Sequence, residues 1–63
     1  MMNFNQAVNV LRDYAKTELG VQSNGLPEII EAVQADETDA MDTPMYVRRA
    51  YRVVMKDLEA LLG

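Results

Sequence analysis

The sequence predicts an all-α fold, a compact three-helix bundle in which residues 1–63 form a single domain. Apolar residues recur at spacings of three and four in three separate stretches, which is the pattern of an amphipathic helix. Short polar segments with Gly, Pro and Asn separate these stretches and are typical of turns. No stretch alternates apolar and polar residues as a half-buried strand does. The predicted helices cover about 4–19, 26–35 and 43–62.

The first predicted helix, 4–19, has spacings of four, three and four between its main apolar residues. These residues are Phe4, Val8, Leu11 and Ala15. Asn3 or Asn5 is suited to the N-cap, since an Asn side chain accepts a hydrogen bond from a first-turn N–H group. Gly20 predicts the end of the helix, where a positive φ angle is required.

The second predicted helix, 26–35, begins with Pro27 in its first turn, where the missing N–H group costs nothing. Glu28 lies near the positive end of the helix dipole. Its predicted buried side consists of Leu26, Ile29, Ile30 and Val33. A helix this short requires contacts with the rest of the protein for its stability.

The segment from Asp36 to Asp42 is the most acidic part of the chain, with four carboxylates and no cation. Short runs of like charge are usually solvated. We therefore interpret this segment as an exposed linker, whose last acid also favours the N-terminus of the third helix.

The third predicted helix, 43–62, has the widest apolar surface. Thr43 is expected as its N-cap and Pro44 as its first residue. Its main stripe consists of Val47, Tyr51, Val54, Leu58 and Leu61. Leu58 lies in the middle of this stripe, and we expect it to be fully buried.

Composition argues against several classes of function. The chain contains no Cys and no His, so it lacks thiolate ligands and the commonest general base. A chain of 63 residues is also too small to enclose a sizeable pocket. We therefore expect no catalytic activity, no metal and no cofactor. A net charge of −4 disfavours general binding to nucleic acid or anionic membranes. No signal peptide or membrane span is evident, and the lack of Cys is consistent with a cytoplasmic protein.

Three groups of residues are candidates for partner binding. The apolar flank is a second apolar strip on the third helix, and it either packs on a neighbouring helix or is exposed for a partner. It comprises Met45, Tyr46, Val53 and Ala60. The basic stripe on the same helix comprises Arg48, Arg49, Arg52 and Lys56. The acidic surface comprises Glu28, Glu31, Asp36, Glu37, Asp39 and Asp42.

These groups predict a small acidic protein-binding module. Oppositely charged regions on one small protein suit docking on another protein, because complementary charge sets the register and the rate of association. The protein would act as a regulator, inhibitor or accessory subunit of the kind that bacteria and phages make. A weak homodimer through the apolar flank is one version of this hypothesis. Two alternatives are a nucleic-acid-binding domain that uses the basic stripe and a nucleic-acid mimic that uses the acidic surface.

Overall fold

The structure is a computed structural model that describes residues 2–39 and 43–62. Three α-helices form this part of the chain: α1 is Phe4–Glu18, α2 is Leu26–Asp39 and α3 is Met45–Leu62. The described residues contain no strand. The predicted three-helix, all-α architecture is thereby confirmed.

Both ends of α1 are closed by local hydrogen bonds. The Asn3 side chain accepts from the Gln6 N–H group at 2.8 Å, and the Gln6 side chain accepts from the Asn3 N–H group at 3.0 Å. This reciprocal pair is a capping box. At the other end Gly20 has a φ angle of 69°. The chain reverses there, so that the Val21 N–H group donates to the Ala15 carbonyl at 3.0 Å. The predicted roles of Asn3 and Gly20 are confirmed.

Helix α2 continues four residues beyond the predicted end and includes Asp39. The interpretation of 36–42 as a linker is therefore wrong for its first part, 36–39. Asp36 follows the buried Ile29 and Val33 at helical spacing, so it lies on the inner face of α2. Polar contacts with α1 and with the segment before α3 then hold this extra turn in place. Residues 40–42 lie outside the described part of the chain.

The start of α3 also differs from the prediction. The Pro44 carbonyl accepts hydrogen bonds from the N–H groups of Val47 at 3.0 Å and Arg48 at 3.1 Å. Pro44 is thus the N-cap, and α3 begins at Met45. The expectation that Thr43 caps the helix is wrong, because its hydroxyl is buried and donates to Asp36 instead.

The hydrophobic core is built mainly around α1. This helix packs against both others, most extensively against α3, whereas α2 and α3 contact each other least. The buried apolar residues are Ala7, Leu11, Tyr14 and Ala15 of α1, Ile29 and Val33 of α2, and Val47, Ala50 and Val54 of α3. The position of α1 between its neighbours leaves one long side of α3 facing solvent.

The C-terminal part of α3 is less buried than the sequence predicts. Leu58 is only half-buried, so the expectation of full burial is wrong, and Leu61 is 80% exposed. Helix α3 has 18 residues, against 15 in α1 and 14 in α2. Leu62 is 90% exposed as well, so no other described helix covers the last turn of α3.

Candidate partner-binding surface

The solvent-facing side of α3 combines two groups that the sequence analysis treats separately. At 100° per residue, three cations of the basic stripe lie among the members of the apolar flank. We call this side the outer face of α3; it consists of Met45, Tyr46, Arg49, Arg52, Val53, Lys56 and Ala60. All of these residues are exposed except Val53, which is half-buried. The apolar flank and most of the basic stripe thus form one surface.

The residues of the apolar flank differ in burial: one contacts the core, and the others face solvent. Val53 packs against the core cluster with part of its side chain. Met45 and Tyr46 are 63% and 56% exposed, and Ala60 is exposed as well. Neither alternative from the sequence holds for the whole flank, because one member contacts the core and three members face solvent.

Apolar and basic groups meet in a shallow groove at this face. The groove is open to solvent, has a volume of about 420 Å³ and is lined by Met2, Arg49, Arg52 and Val53. We call it the basic groove. Met2 comes from the segment before α1 and belongs to none of the three groups predicted from the sequence. Two guanidinium groups beside an apolar floor can bind a ligand that combines carboxylates with apolar side chains.

Arg48 differs from the other cations of the basic stripe in its burial. It lies one helical turn before Arg52 but is half-buried, whereas Arg49, Arg52 and Lys56 are exposed.

The residues of the predicted acidic surface have different surroundings. Glu28 and Glu31 are exposed on α2, where they line a second open groove of about 450 Å³. We call it the acidic groove; its other lining residues are Val21, Gln22, Ser23, Ala32 and Ala35. The Glu28 carboxylate lies close to Gly25 at the start of α2. Asp39 belongs to α2, and Asp42 lies outside the described residues.

Asp36 has a structural environment that the sequence analysis did not anticipate. Its Oδ2 atom accepts hydrogen bonds from the Tyr14 hydroxyl and the Thr43 hydroxyl, each at 2.8 Å. Tyr14 and Thr43 are 9% and 5% exposed, so both hydroxyls depend on protein acceptors. One carboxylate oxygen thereby connects α1, α2 and the segment that leads into α3.

Glu37 also faces the protein more than the solvent. It is half-buried, and within the described residues its Oε2 atom is enclosed without a hydrogen-bond partner. Burial, and secondarily the charge of Glu37, raise the pKa of the Tyr51 hydroxyl above its ordinary value of 10.0. Asp36 and Glu37 therefore contribute to the interior, and Glu28 and Glu31 form the exposed acidic pair.

Two features, a metal-ligand cluster and a membrane-spanning helix, are absent from the described part of the chain. Its His, Cys, Asp and Glu side chains form no group of three or more that could hold a metal ion. None of the helices described there is long and apolar enough to span a membrane.

The chain matches no protein-family model, no curated protein and no solved structure. Its function is therefore inferred from its own surfaces.

Proposed function

We propose that the protein is a small binding module that acts by contact with a larger protein, as a regulator, inhibitor or accessory subunit. The outer face of α3 is its docking surface. The observation that carries this proposal is the basic groove, which Arg49 and Arg52 line together with Val53, with Met45 and Tyr46 exposed on the same face. Tyr, Met and Arg are the residues enriched at protein–protein interfaces. The lack of Cys supports a cytoplasmic location.

The chemistry of this face favours an acidic amphipathic segment as the partner. Val53 and Met2 offer an apolar floor, and Met side chains adapt to partners of different shape. Arg49 and Arg52 can each form a paired hydrogen bond with a carboxylate. The net charge of −4 repels an acidic partner at long range, so binding relies on close contacts at this face.

Nucleic-acid binding is the second candidate for the same face. Arg49, Arg52 and Lys56 are all exposed along one side of a helix, as phosphate contacts require. The net negative charge of the whole chain works against it, and we expect no duplex binding at physiological salt. The mimic hypothesis has less support, since Asp36 and Glu37 are directed toward the protein itself.

The test is a nuclear magnetic resonance titration of the labelled protein with a synthetic helical peptide that carries Leu on one side and Glu beside it. We expect the largest amide shift changes along the outer face of α3. The double variant Arg49→Glu/Arg52→Glu should weaken binding by tenfold or more, which corresponds to about 1.4 kcal/mol.

Two controls make this titration specific. Lys16→Glu reverses an exposed cation on α1 and should leave peptide binding unchanged. A peptide with Lys in place of Glu should not shift the amide signals of the outer face of α3. A labelled DNA duplex provides the contrasting probe: if the duplex binds at micromolar concentration and the acidic peptide does not, nucleic-acid binding replaces the proposed function.

A further inference from the structure

The acidic and basic grooves are complementary in charge. Glu28 and Glu31 line the first, Arg49 and Arg52 line the second, and all four residues are exposed. The chain therefore displays, on α2, the kind of acidic segment that suits the groove on its own α3.

The spacing of the charges matches as well. Glu28 and Glu31 are three residues apart on one helix, and so are Arg49 and Arg52. Residues three apart on a helix are neighbours, with about 5–6 Å between their Cβ atoms. When two such helices pack side by side, both acid–base pairs can form at once. Ala32 and Ala35 present small side chains next to the two acids, which leaves room for larger apolar groups.

A symmetric contact of the outer face of α3 with itself is less favourable. A two-fold axis through that face places the exposed Arg49, Arg52 and Lys56 of one copy near the same residues of the other. Like charges that meet across an interface oppose association. The charges thus favour contact between different faces of two copies over the two-fold dimer through the apolar flank.

We propose that the basic groove of one copy binds the acidic groove of a second copy. This inference concerns copies of the same chain, so it does not require the proposed function, although both use the outer face of α3. Self-association would cover the docking surface and compete with the partner.

The form of the association follows from the geometry of such a contact. A head-to-tail interface leaves an unused basic groove at one end and an unused acidic groove at the other, so further copies can add. Each copy carries a charge of −4, and the four paired residues lie at the surface. Both facts make the association weak, and salt screens the net repulsion as well as the paired charges.

Sedimentation velocity over a range of concentrations tests the inference directly. We expect the average mass of the wild-type protein to rise with concentration. The acid-reversed variant, Glu28→Lys/Glu31→Lys, and the base-reversed variant, Arg49→Glu/Arg52→Glu, should each remain monomeric alone. Glu31→Lys alone should also reduce association, and it avoids any effect of Glu28 on the start of α2.

Mixing the two variants provides the decisive measurement. The acid-reversed variant retains a wild-type basic groove, and the base-reversed variant retains a wild-type acidic groove. Their mixture should therefore associate although each variant alone does not, and it should form alternating chains because the two reversed pairs are complementary to each other as well. The variant with all four reversals should self-associate again, because both signs are exchanged together.

Several results would overturn the inference. One is a wild-type protein that is monomeric at every concentration; another is a mixture in which the two variants do not associate. A closed dimer that tolerates Glu28→Lys/Glu31→Lys but is lost with Val53→Glu would instead support the two-fold contact through the apolar flank. Circular dichroism of Glu31→Lys and of the base-reversed variant should show unchanged helicity, since Glu31, Arg49 and Arg52 are exposed. Peptide binding by the monomeric acid-reversed variant tests the proposed function separately.

Discussion

Removal of the Asp36 carboxylate should destabilise the fold more than removal of any exposed acid. Asp36→Ala leaves the hydroxyls of Tyr14 and Thr43 without the acceptor that both use at 2.8 Å. A hydrogen bond to a charged group contributes about 1.5–3 kcal/mol to stability. Asp36 itself is only half-buried, so water can replace part of the loss. We therefore expect the free energy of unfolding to fall by about 2–4 kcal/mol.

This loss is large for a chain of 63 residues. A core of this size rarely provides more than about 3–5 kcal/mol of net stability. For a small domain, each kcal/mol corresponds to a shift of about 4–8 °C in Tm, so Asp36→Ala should lower Tm by about 10–30 °C. Asp36→Asn keeps an oxygen acceptor but loses the charge, and it should cost about half as much.

Thermal and urea unfolding monitored by circular dichroism measure this effect. Glu31→Ala removes an exposed acid from the same helix and is the matched control, expected to lie within about 0.5 kcal/mol of wild type. A double-mutant cycle of Asp36→Ala with Thr43→Val isolates one of the two hydrogen bonds. If Asp36→Ala and Glu31→Ala have the same Tm, the shared carboxylate does not hold the helices together.

Two further predictions concern the core and the pH dependence of stability. Leu11→Ala should lower the free energy of unfolding by about 2–5 kcal/mol because Leu11 is fully buried. Leu58 is only half-buried, so Leu58→Ala should lower it by about 1–2 kcal/mol. Equal losses for the two variants in urea unfolding would contradict this ranking. The raised pKa of Tyr51 means that the folded state holds this proton more tightly than the unfolded state. The protonated Tyr51 hydroxyl contributes its full stabilisation below the pKa of about 10 that it has in the unfolded state. This stabilisation is lost as the pH rises through the higher pKa that the hydroxyl has in the folded state. Stability measured across this alkaline range should therefore fall less steeply in Tyr51→Phe than in wild type, and identical slopes would show that Tyr51 has no such role.

Local patterns in the sequence are sufficient to predict the three-helix architecture. The spacing of apolar residues predicts all three helices, and short-range chemistry predicts the capping role of Asn3 and the turn at Gly20. Each of these features depends on residues within one or two helical turns. The error at Leu58 has a different origin, because the length of a neighbouring helix decides whether a stripe is covered.

The role of Asp36 could not be predicted from charge alone. Its partners are 22 and 7 residues away in the sequence, so their approach depends on the packing of the helices. One signal was nevertheless present. Asp36 continues the spacing of four and three from Ile29 and Val33, and a helix extended by one turn places it on the buried side. The acidic composition of the segment favours solvent exposure and opposes this pattern.

The internal use of Asp36 and Glu37 changes what the surface can do. Four of the six residues in the predicted acidic surface belong to 36–42, and two of these four are directed toward the protein. The exposed acids at the acidic groove are therefore a pair on α2, opposite in charge to the pair on α3. A long, uniform acidic surface would suit a mimic of nucleic acid, which repeats its charges at regular intervals. Two short pairs with equal spacing suit the recognition of one helix by another, because each pair fixes the register of its partner. This arrangement of charges therefore supports the proposal of binding between helices over that of a nucleic-acid mimic.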